Sequence, residues 1–370
     1  MNYVLEGSVF ILSNIKSYQD ESEHNSDIML NIDKYLSNSV DNEEVPGAVI
    51  LIVKDKKVQL HKEYGFSQII PYSLPMNKVS IFDIASLTKV VAVWPAVMFL
   101  IDKGYINMND ELFRFYGDEI DSELKYTTIF QHLTHTSGLS ERTYLKQFGN
   151  NKKDIMTGLL KDGLEYPPDK QVIYSNRGFI ILGDIIEKVS GMSLDRLVKE
   201  NIWDVLNMND TIFNPDQNLI ERIVSTEFYP ADNLVKRGTV HDENAELLDG
   251  IAGHAGVFST AGDIGKLCAM LLNSLSGEEN KIISQKLIKD SFINYTTQLS
   301  ESRGLGWAIF HESENSKIVG HYGFTGTTIW IDLKKNMYTV LLTNRVHPSR
   351  ENKNIHSIRA YVKELLMSVK

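Results

Sequence analysis

The chain has 370 residues, of which 42% are hydrophobic and 23% are charged, so it can bury a large core and has an ordinary globular composition. Its formal net charge of −10 argues against neutralisation of phosphates, and we expect no nucleic-acid partner. The single cysteine, Cys268, excludes an internal disulfide and is typical of a reducing compartment.

The N-terminal residues contain no basic segment followed by a clean cleavage site, so we identify no signal peptide. We also find no stretch that approaches the length of a membrane span. These features predict a cytoplasmic protein, or a secreted or periplasmic one if a leader has been lost. Residues 1–20 show no clear period and are interpreted as a loosely attached leader.

The first predicted elements are a helix and a hairpin. Residues 26–39 place apolar side chains among polar ones at helical spacing. After a break at Pro46 and Gly47, residues 48–53 are an apolar run of strand length, and residues 58–65 alternate. This pattern predicts a β-hairpin with one strand buried on both faces and one half-exposed.

From Ser86 to about residue 300 the pattern is mostly helical. Helices are predicted from Ser86, with a bend at Pro95, and over residues 190–214, 264–274 and 284–292. Strands are predicted over residues 305–310, 328–332 and 338–343, followed by a helix over residues 354–368.

Strands at both ends of the chain predict an α+β fold, in which one antiparallel sheet is built from both termini and flanked by helices. Residues 1–85 and 300–370 would form this discontinuous α/β sheet lobe. Residues 86–299 would form a large inserted all-helical lobe. We expect an active site between the two lobes.

Ser86 and Lys89 are the first candidate catalytic pair. Three residues apart on a helix, they lie on one face with their side chains in reach of each other. A serine hydroxyl needs a base to act as a nucleophile, and a lysine that is kept uncharged can serve as one. The alternative is a helix-capping serine and a solvated lysine, although Asp83 is available as the cap.

Two further polar clusters could contribute to a site. Tyr174 and Asn176 lie in a predicted loop, from which a hydroxyl and an amide could point into a cleft. A nearby lysine ammonium would stabilise the Tyr174 phenolate, which could then share the base role; the alternative is a tyrosine packed under a turn. Residues 320–327 contain three glycines beside a strand, which is typical of close ligand approach or of a bulge.

In this order the three clusters resemble the motifs S-x-x-K, Y-x-N and K-T-G of the penicillin-binding-protein and serine β-lactamase superfamily. They are present here as Ser86 to Lys89, Tyr174 to Asn176 and His321 to Gly323. The tyrosine-centred second motif is similar to the class C β-lactamase branch, which includes D-aminopeptidases and esterases. Residues 131–139 and 252–260 are also similar to that branch, and the resemblance spans residues 45–345.

The resemblance implies a β-lactamase/transpeptidase-like fold and a serine hydrolase that forms an acyl-enzyme on an ester or amide substrate, with no cofactor or metal. It implies Ser86 as the nucleophile and Lys89 and Tyr174 as the groups that move its proton. The oxyanion hole would be the backbone N–H groups of Ser86 and Phe324. The predicted substrate-binding residues are Asn176, His321, Gly323 and His254.

His321 departs from the family pattern, because β-lactamases and transpeptidases of this branch have lysine there. An imidazole is only partly charged near neutral pH, so it is a weaker partner for the carboxylate of a penicillin or a D-Ala-D-Ala terminus. The departure argues against efficient β-lactamase action and leaves esterase, amidase and peptidase action open.

The histidines offer a different hypothesis, a metal site. His132 and His135 lie three residues apart, and His241, Asp242 or His254 could be a third ligand. No metal-binding motif of recognised spacing accompanies them. We therefore interpret His132 and His135 as holding the loop that follows them through backbone hydrogen bonds.

The substrate and the class of function both have alternatives. Residues 238–245, 253–256 and 343–348 resemble a group of bacterial proteins linked to muropeptide breakdown, which implies an N-acetylmuramoyl-peptide amide as substrate. The alternative from another class is a non-catalytic penicillin-binding or sensor protein that keeps the pocket without turnover. We expect a small-molecule or peptide-like substrate, and the sequence leaves its acyl and leaving groups and the oligomeric state open.

Overall fold

The computed structural model describes residues 27–120 and 123–369. The strands in these ranges are β1 (Gly47–Lys54), β2 (Lys57–Gln68), β3 (Leu74–Pro75), β4 (Phe82–Asp83), β5 (Ile212–Phe213), β6 (Phe228–Tyr229), β7 (Leu234–Val235), β8 (Val257–Ser259), β9 (Ala308–Glu312), β10 (Lys317–Tyr322), β11 (Thr328–Asp332) and β12 (Met337–Thr343).

The α-helices in the same ranges are α1 (Asp27–Asp41), α2 (Trp94–Asp102), α3 (Phe113–Tyr116), α4 (Ile129–Leu133), α5 (Lys152–Lys161), α6 (Asn176–Ser190), α7 (Leu194–Val198), α8 (Glu243–Glu246), α9 (Ala261–Leu275), α10 (Gln285–Ser291) and α11 (Ile355–Ser368). The 3-10 helices are Ala85–Leu87, Gly117–Glu119, Glu123–Tyr126, Leu145–Phe148 and Gln217–Arg222, and the π-helical segments are Lys89–Val93 and Lys199–Trp203.

Seven strands form one antiparallel sheet in the order β3-β2-β1-β12-β11-β10-β9. The N-terminal strand β1 pairs directly with the C-terminal strand β12, with Ala48 opposite Thr343. The sheet is therefore assembled from both ends of the chain, and the predicted α+β fold class is confirmed.

Helices cover both faces of this sheet. Because successive side chains of a strand point to opposite faces, Ile50 and Leu51 of β1 belong to different layers. Ile50 lies in a hydrophobic cluster with Leu36 of α1 and Ile358 of α11. Leu51 lies in a second cluster with Leu267 of α9. The central strands are buried on both faces for this reason, as the apolar run of β1 predicted.

Most of the predicted elements are present. The helix predicted over residues 26–39 is α1, and the predicted hairpin is β1 and β2. The remaining agreements are α9 and α10 for the helices at 264–274 and 284–292, β11 and β12 for the last two strands, and α11 for the last helix. The expected leader at residues 1–20 lies outside the described residues.

Four regions differ from what the sequence predicted. Strand β10 was not predicted, and the strand predicted over residues 305–310 begins only at Ala308. Residues 190–214 hold the five-residue α7 and a π-helical segment rather than one long helix. The inserted region is not all helical, because it contains β5 to β8; strands of two or three residues are too short to show a period.

The apolar segment Ala85–Asp102 corrects the expectation that no stretch approaches the length of a membrane span. Its 18 residues are long and apolar enough to cross a membrane, and it is the one such segment found in the described ranges. However, 78% of the segment is buried inside the protein. Most of its apolar side chains belong to the largest hydrophobic cluster, as those of a core helix would.

That cluster joins side chains of both predicted lobes, such as Val49 of the sheet and Val97 of α2. The division of the chain at residues 85/86 and 299/300 stays a prediction.

The segment that follows Ser86 is irregular. A 3-10 turn leads into the π-helical segment Lys89–Val93 and then into α2, whose first turn contains Pro95. Pro95 has no N–H that could bond to the Val91 carbonyl one turn earlier. The indole Nε1 of Trp203 donates a hydrogen bond to that carbonyl at 3.1 Å. The irregularity expected at Pro95 thus lies in the turn before it.

Trp203→Phe should destabilise the protein by more than the lost ring volume explains, because the buried Val91 carbonyl also loses a donor. We expect an extra loss of about 1 kcal/mol in the free energy of unfolding, measured by urea denaturation. Trp307→Phe is the matched control, since Trp307 is equally buried and its Nε1 has no hydrogen-bond partner in the described residues. Equal losses in the two variants would contradict the role given to Trp203.

Candidate active site

The backbone just before Ser86 has an unusual conformation. Ala85 has a φ angle of +47°, which side-chain-bearing residues rarely adopt. The buried carboxylate of Asp83 accepts the N–H of Ala85 at 2.8 Å and the N–H of His241 at 2.7 Å. Burial raises the pKa of Asp83, and the two N–H donors act in the opposite direction. Asp83 therefore holds the turn that presents Ser86, close to its expected role as a cap.

Lys89 is completely buried, with an exposed fraction of 0%. Its Nζ donates to Oδ1 of Asn176 at 2.8 Å and to the carbonyl oxygen of His254 at 3.2 Å. It also lies 4.8 Å from the centre of the Tyr174 ring. The structure thus brings Lys89, Tyr174 and Asn176 together, as the motif spacing predicted.

Burial lowers the pKa of Lys89 to about 7, because the charged ammonium is separated from water. The negative charge of Asp242 opposes this shift and the positive charge of Arg303 adds to it. A neutral amine has two N–H donors and one lone pair. With both donors directed at Asn176 and His254, the lone pair is left to accept a proton.

Tyr174 is partly exposed, and the side chain of Ser86 is close enough to act on its hydroxyl. Burial raises the pKa of Tyr174 to about 12, while the nearby Ser86 side chain and the charge of Arg303 act to lower it. The expectation of a phenolate stabilised by the lysine is therefore wrong. At neutral pH Tyr174 is a neutral hydroxyl that lies beside Ser86 and can relay a proton.

His135 fixes the segment that carries Tyr174. Its Nδ1 accepts the N–H of Ser175 at 3.1 Å, and its carbonyl oxygen accepts the N–H of Ile173 at 2.9 Å. The centres of the His135 and Tyr174 rings are 4.7 Å apart. We expected His135 to hold the loop that follows it, and it instead positions the tyrosine segment almost 40 residues later, a contact that no local pattern encodes.

The histidines proposed as metal ligands have other partners. His132 Nε2 is bonded to Thr127 Oγ1 at 2.9 Å, and His241 Nε2 lies 3.0 Å from the Glu227 carboxylate. In residues 27–120 and 123–369 no group of three or more histidine, cysteine, aspartate or glutamate side chains is placed to hold a metal ion.

The glycine-rich loop at residues 323–327 is joined directly to the backbone before Ser86. Thr325 Oγ1 donates to the Asp83 carbonyl at 2.7 Å, and Thr327 Oγ1 donates to the Ile84 carbonyl at 2.8 Å. A Cβ on Gly323 would lie 2.5 Å from that Ile84 oxygen, so only glycine permits this approach. The close approach expected at the glycines is thus between two backbone segments.

This contact places Phe324 near Ser86. No acceptor for the Phe324 N–H is found among the described residues, as an oxyanion donor requires. The loop is also held from behind by Arg359 of α11, whose guanidinium donates to the carbonyls of Gly323 and Thr327, both at 2.8 Å.

His321 lies beside Tyr174, with 5.9 Å between the ring centres. It is buried, with 3% exposed, and its Nδ1 bonds to the carbonyl of Tyr322 at 2.9 Å. A carbonyl only accepts, so Nδ1 carries the proton and Nε2 has the lone pair. Burial, together with the charges of Lys89 and Arg303, holds the pKa of His321 well below its usual value. The expected partial charge near neutral pH is therefore absent, and His321 is an acceptor.

His254 contributes its backbone rather than its ring. Its carbonyl accepts from Lys89, whereas its imidazole is 1% exposed and bonds through Nε2 to Asp242 Oδ1 at 2.9 Å. A ring so shielded argues against the predicted direct contact of His254 with substrate.

Arg303 was not identified from the sequence. Its guanidinium carbon lies 5.8 Å from the centre of the Tyr174 ring, and its charge acts on Lys89, Tyr174 and His321. The side chain is 10% exposed and is paired with Glu301. Arg303 belongs to no recognised motif and is 129 residues from Tyr174 in sequence. No sequence pattern therefore predicts that it lies at the site. Arg303 thus places a positive charge beside Tyr174, where His321 is neutral.

A family model described as Beta-lactamase matches residues 32–363. A protein of Salmonella agona (strain SL483) named "Putative D-alanyl-D-alanine carboxypeptidase" is 28% identical over 382 residues, covering 91% of this chain and 87% of that protein. A protein of the same name from Salmonella typhimurium has the same identity and coverage.

Solved structures show the same fold. A class C beta-lactamase mutant has a TM-score of 0.75 at 17% identity and covers 93% of this chain and 98% of its own. A penicillin-binding protein homologue from Pyrococcus abyssi, described as octameric, has a TM-score of 0.72 at 22% identity. The match covers 90% of this chain and 77% of the homologue. EstCE1, a hydrolase with promiscuous acyltransferase activity, has a TM-score of 0.71 at 17% identity. The match covers 90% of this chain and 98% of EstCE1.

Proposed function

Because the chain belongs to the Beta-lactamase family, we propose that it is a serine hydrolase that forms an acyl-enzyme on Ser86. The observation that carries the proposal is the burial of Lys89 beside Tyr174, whose hydroxyl is close enough to Ser86 for the serine to act on its pKa. A helix-capping Ser86 with a solvated lysine, the alternative considered from the sequence, would have no such base.

In the proposed reaction the Oγ of Ser86 attacks the carbonyl carbon of an ester or amide. Its proton passes to the lone pair of Lys89, directly or through the Tyr174 hydroxyl. The negative oxygen that forms is bound by the N–H groups of Ser86 and Phe324. The proton then goes to the leaving alcohol or amine, and the acyl-enzyme forms as the bond to that group breaks. Water attacks the acyl-enzyme in the same way and regenerates Ser86.

We propose that the substrate is a peptide-like molecule with a free carboxylate near the scissile bond, such as a short peptide that ends in D-alanine. The Salmonella relatives named as carboxypeptidases support this, and so does the positive charge of Arg303 beside Tyr174. A planar guanidinium suits a carboxylate better than a neutral imidazole does. Asn176, already bonded to Lys89, is available to orient the substrate amide.

Reaction at Ser86 is the first test. A fluorophosphonate or a fluorescent penicillin should label the protein covalently at Ser86, and Ser86→Ala should abolish both labelling and multiple-turnover hydrolysis of activated esters. Intact-mass and peptide mass spectrometry check the position of the adduct. Ser140→Ala is the control, since Ser140 is on a neighbouring loop and has no lysine three residues later. An adduct on another serine would contradict the proposal.

The same experiment separates the enzyme from the non-catalytic alternative. A sensor or binding protein would release one product molecule per reactive Ser86, and hydrolysis of the ester would then stop. A hydrolase continues after the first turnover.

The pH dependence tests the base. Since Lys89 must be uncharged to accept a proton, kcat/KM for a neutral ester should rise with pH through about 7, the pKa of Lys89. Arg303 lowers that pKa, so Arg303→Gln should move the rise to higher pH. A neutral ester is used because it carries no carboxylate that Arg303 could bind.

Arg196→Gln is the matched control, since it removes the same charge from an exposed position on α7. It should leave the pH profile in place. If the profile rises near pH 7 but does not move in Arg303→Gln, then Arg303 does not influence the pKa of the base. A flat profile from pH 5.5 to 8.5 would contradict the role of Lys89.

A further inference from the structure

Asp242 lies at the edge of the proposed site and has no role in the reaction derived above. The preceding residue, His241, is bonded through its N–H to Asp83, and its ring stacks 5.8 Å from the exposed ring of Phe324. His254, which is bonded to Asp242, accepts from Lys89 through its carbonyl. Asp242 is therefore held between the base on one side and the oxyanion loop on the other.

No lysine or arginine of the described residues forms an ion pair with Asp242. Its neighbours in sequence are paired: Glu243 contacts Arg350 at 2.6 Å and Glu246 contacts Lys236 at 2.8 Å. The ion-pair contact found for Asp242 in the described residues is with His254. Lys89 directs its hydrogen bonds elsewhere. Burial acts to raise the pKa of Asp242, but its interactions with His254, the N–H of Ala245 and Lys89 hold that pKa well below its usual value, so Asp242 is a carboxylate at neutral pH.

A structural role accounts for only one of its two oxygens. Oδ1 accepts the N–H of Ala245 at 2.8 Å, which caps α8, and also the bond from His254. Oδ2 makes no hydrogen bond to the described residues. It is not shut off from solvent, unlike the buried polar atoms that have no partner. The side chain is 29% exposed. An accessible, charged oxygen beside the base is thus available to a ligand.

Resting on the proposed function, we propose that Asp242 is a specificity subsite for a cationic group, the free α-ammonium of the residue that acylates Ser86. An ammonium donates up to three hydrogen bonds, and a carboxylate in a partly desolvated site is its natural acceptor. With Arg303 binding a carboxylate on the leaving side, the site suits a short zwitterionic peptide better than a chain with a blocked N-terminus.

Two substrates with the same scissile bond test this subsite. D-Alanine p-nitroanilide has a free ammonium, and N-acetyl-D-alanine p-nitroanilide does not. At pH 7 the wild type should prefer the free ammonium by about 10- to 100-fold in kcat/KM, the value of a hydrogen bond between charged groups. Asp242→Asn should remove that preference, mainly through KM. The ratio of the two substrates cancels any change that this variant makes to Lys89.

Asp249→Asn is the control, because it removes the same charge from an exposed position seven residues later. It should keep the wild-type preference. Equal rates on both substrates in the wild type, or a preference that survives in Asp242→Asn, would overturn the subsite while leaving the acyl-enzyme on Ser86 intact.

A binding measurement decides the question even without turnover. Calorimetry on Ser86→Ala should show that D-alaninamide binds and that N-acetyl-D-alaninamide binds at least about tenfold more weakly. The difference should vanish when Asp242→Asn is added. Equal binding of the two amides to Ser86→Ala would overturn the subsite, whereas failure of the proposed function is seen as absence of label on Ser86.

Discussion

The burial of one amine, the Nζ of Lys89, is the constraint on which the rest of the site depends. A solvated lysine is charged at neutral pH and cannot accept a proton. Removing Lys89 from water lowers its pKa to about 7, and two acceptors hold the amine in place. The charges of Asp242 and Arg303 act on it in opposite directions. The hydrophobic core therefore has a chemical as well as a structural role.

The second requirement is that three distant segments keep one geometry. Asp83 holds Ala85 in its left-handed conformation, and the loop at residues 323–327 is tied to the same stretch by two threonine hydroxyls. Gly323 permits the backbones to approach where any side chain would collide. The helix at the end of the chain contributes Arg359 to that loop. Irregular backbone near Ser86 is stable because the surrounding side chains fix it.

The sequence predicted what depends on local spacing or on the family motifs. The long periodic elements α1, β1, α9 and α11 were found, and Ser86, Lys89, Tyr174 and Asn176 lie together. Protonation states were predicted less well, because the neutral forms of His321 and Tyr174 follow from burial by residues far away in the chain. Arg303 and the exposed oxygen of Asp242 had no local signal, since only the tertiary fold places them at the site.

The central claim is that Lys89 is uncharged in a large fraction of molecules at neutral pH. Direct titration by NMR of protein labelled with carbon-13 at lysine Cε tests it, with the resonance assigned by its loss in Lys89→Arg. The account predicts a midpoint at about pH 7 for this one lysine. A midpoint near 10, the value of an ordinary solvated lysine, would contradict it.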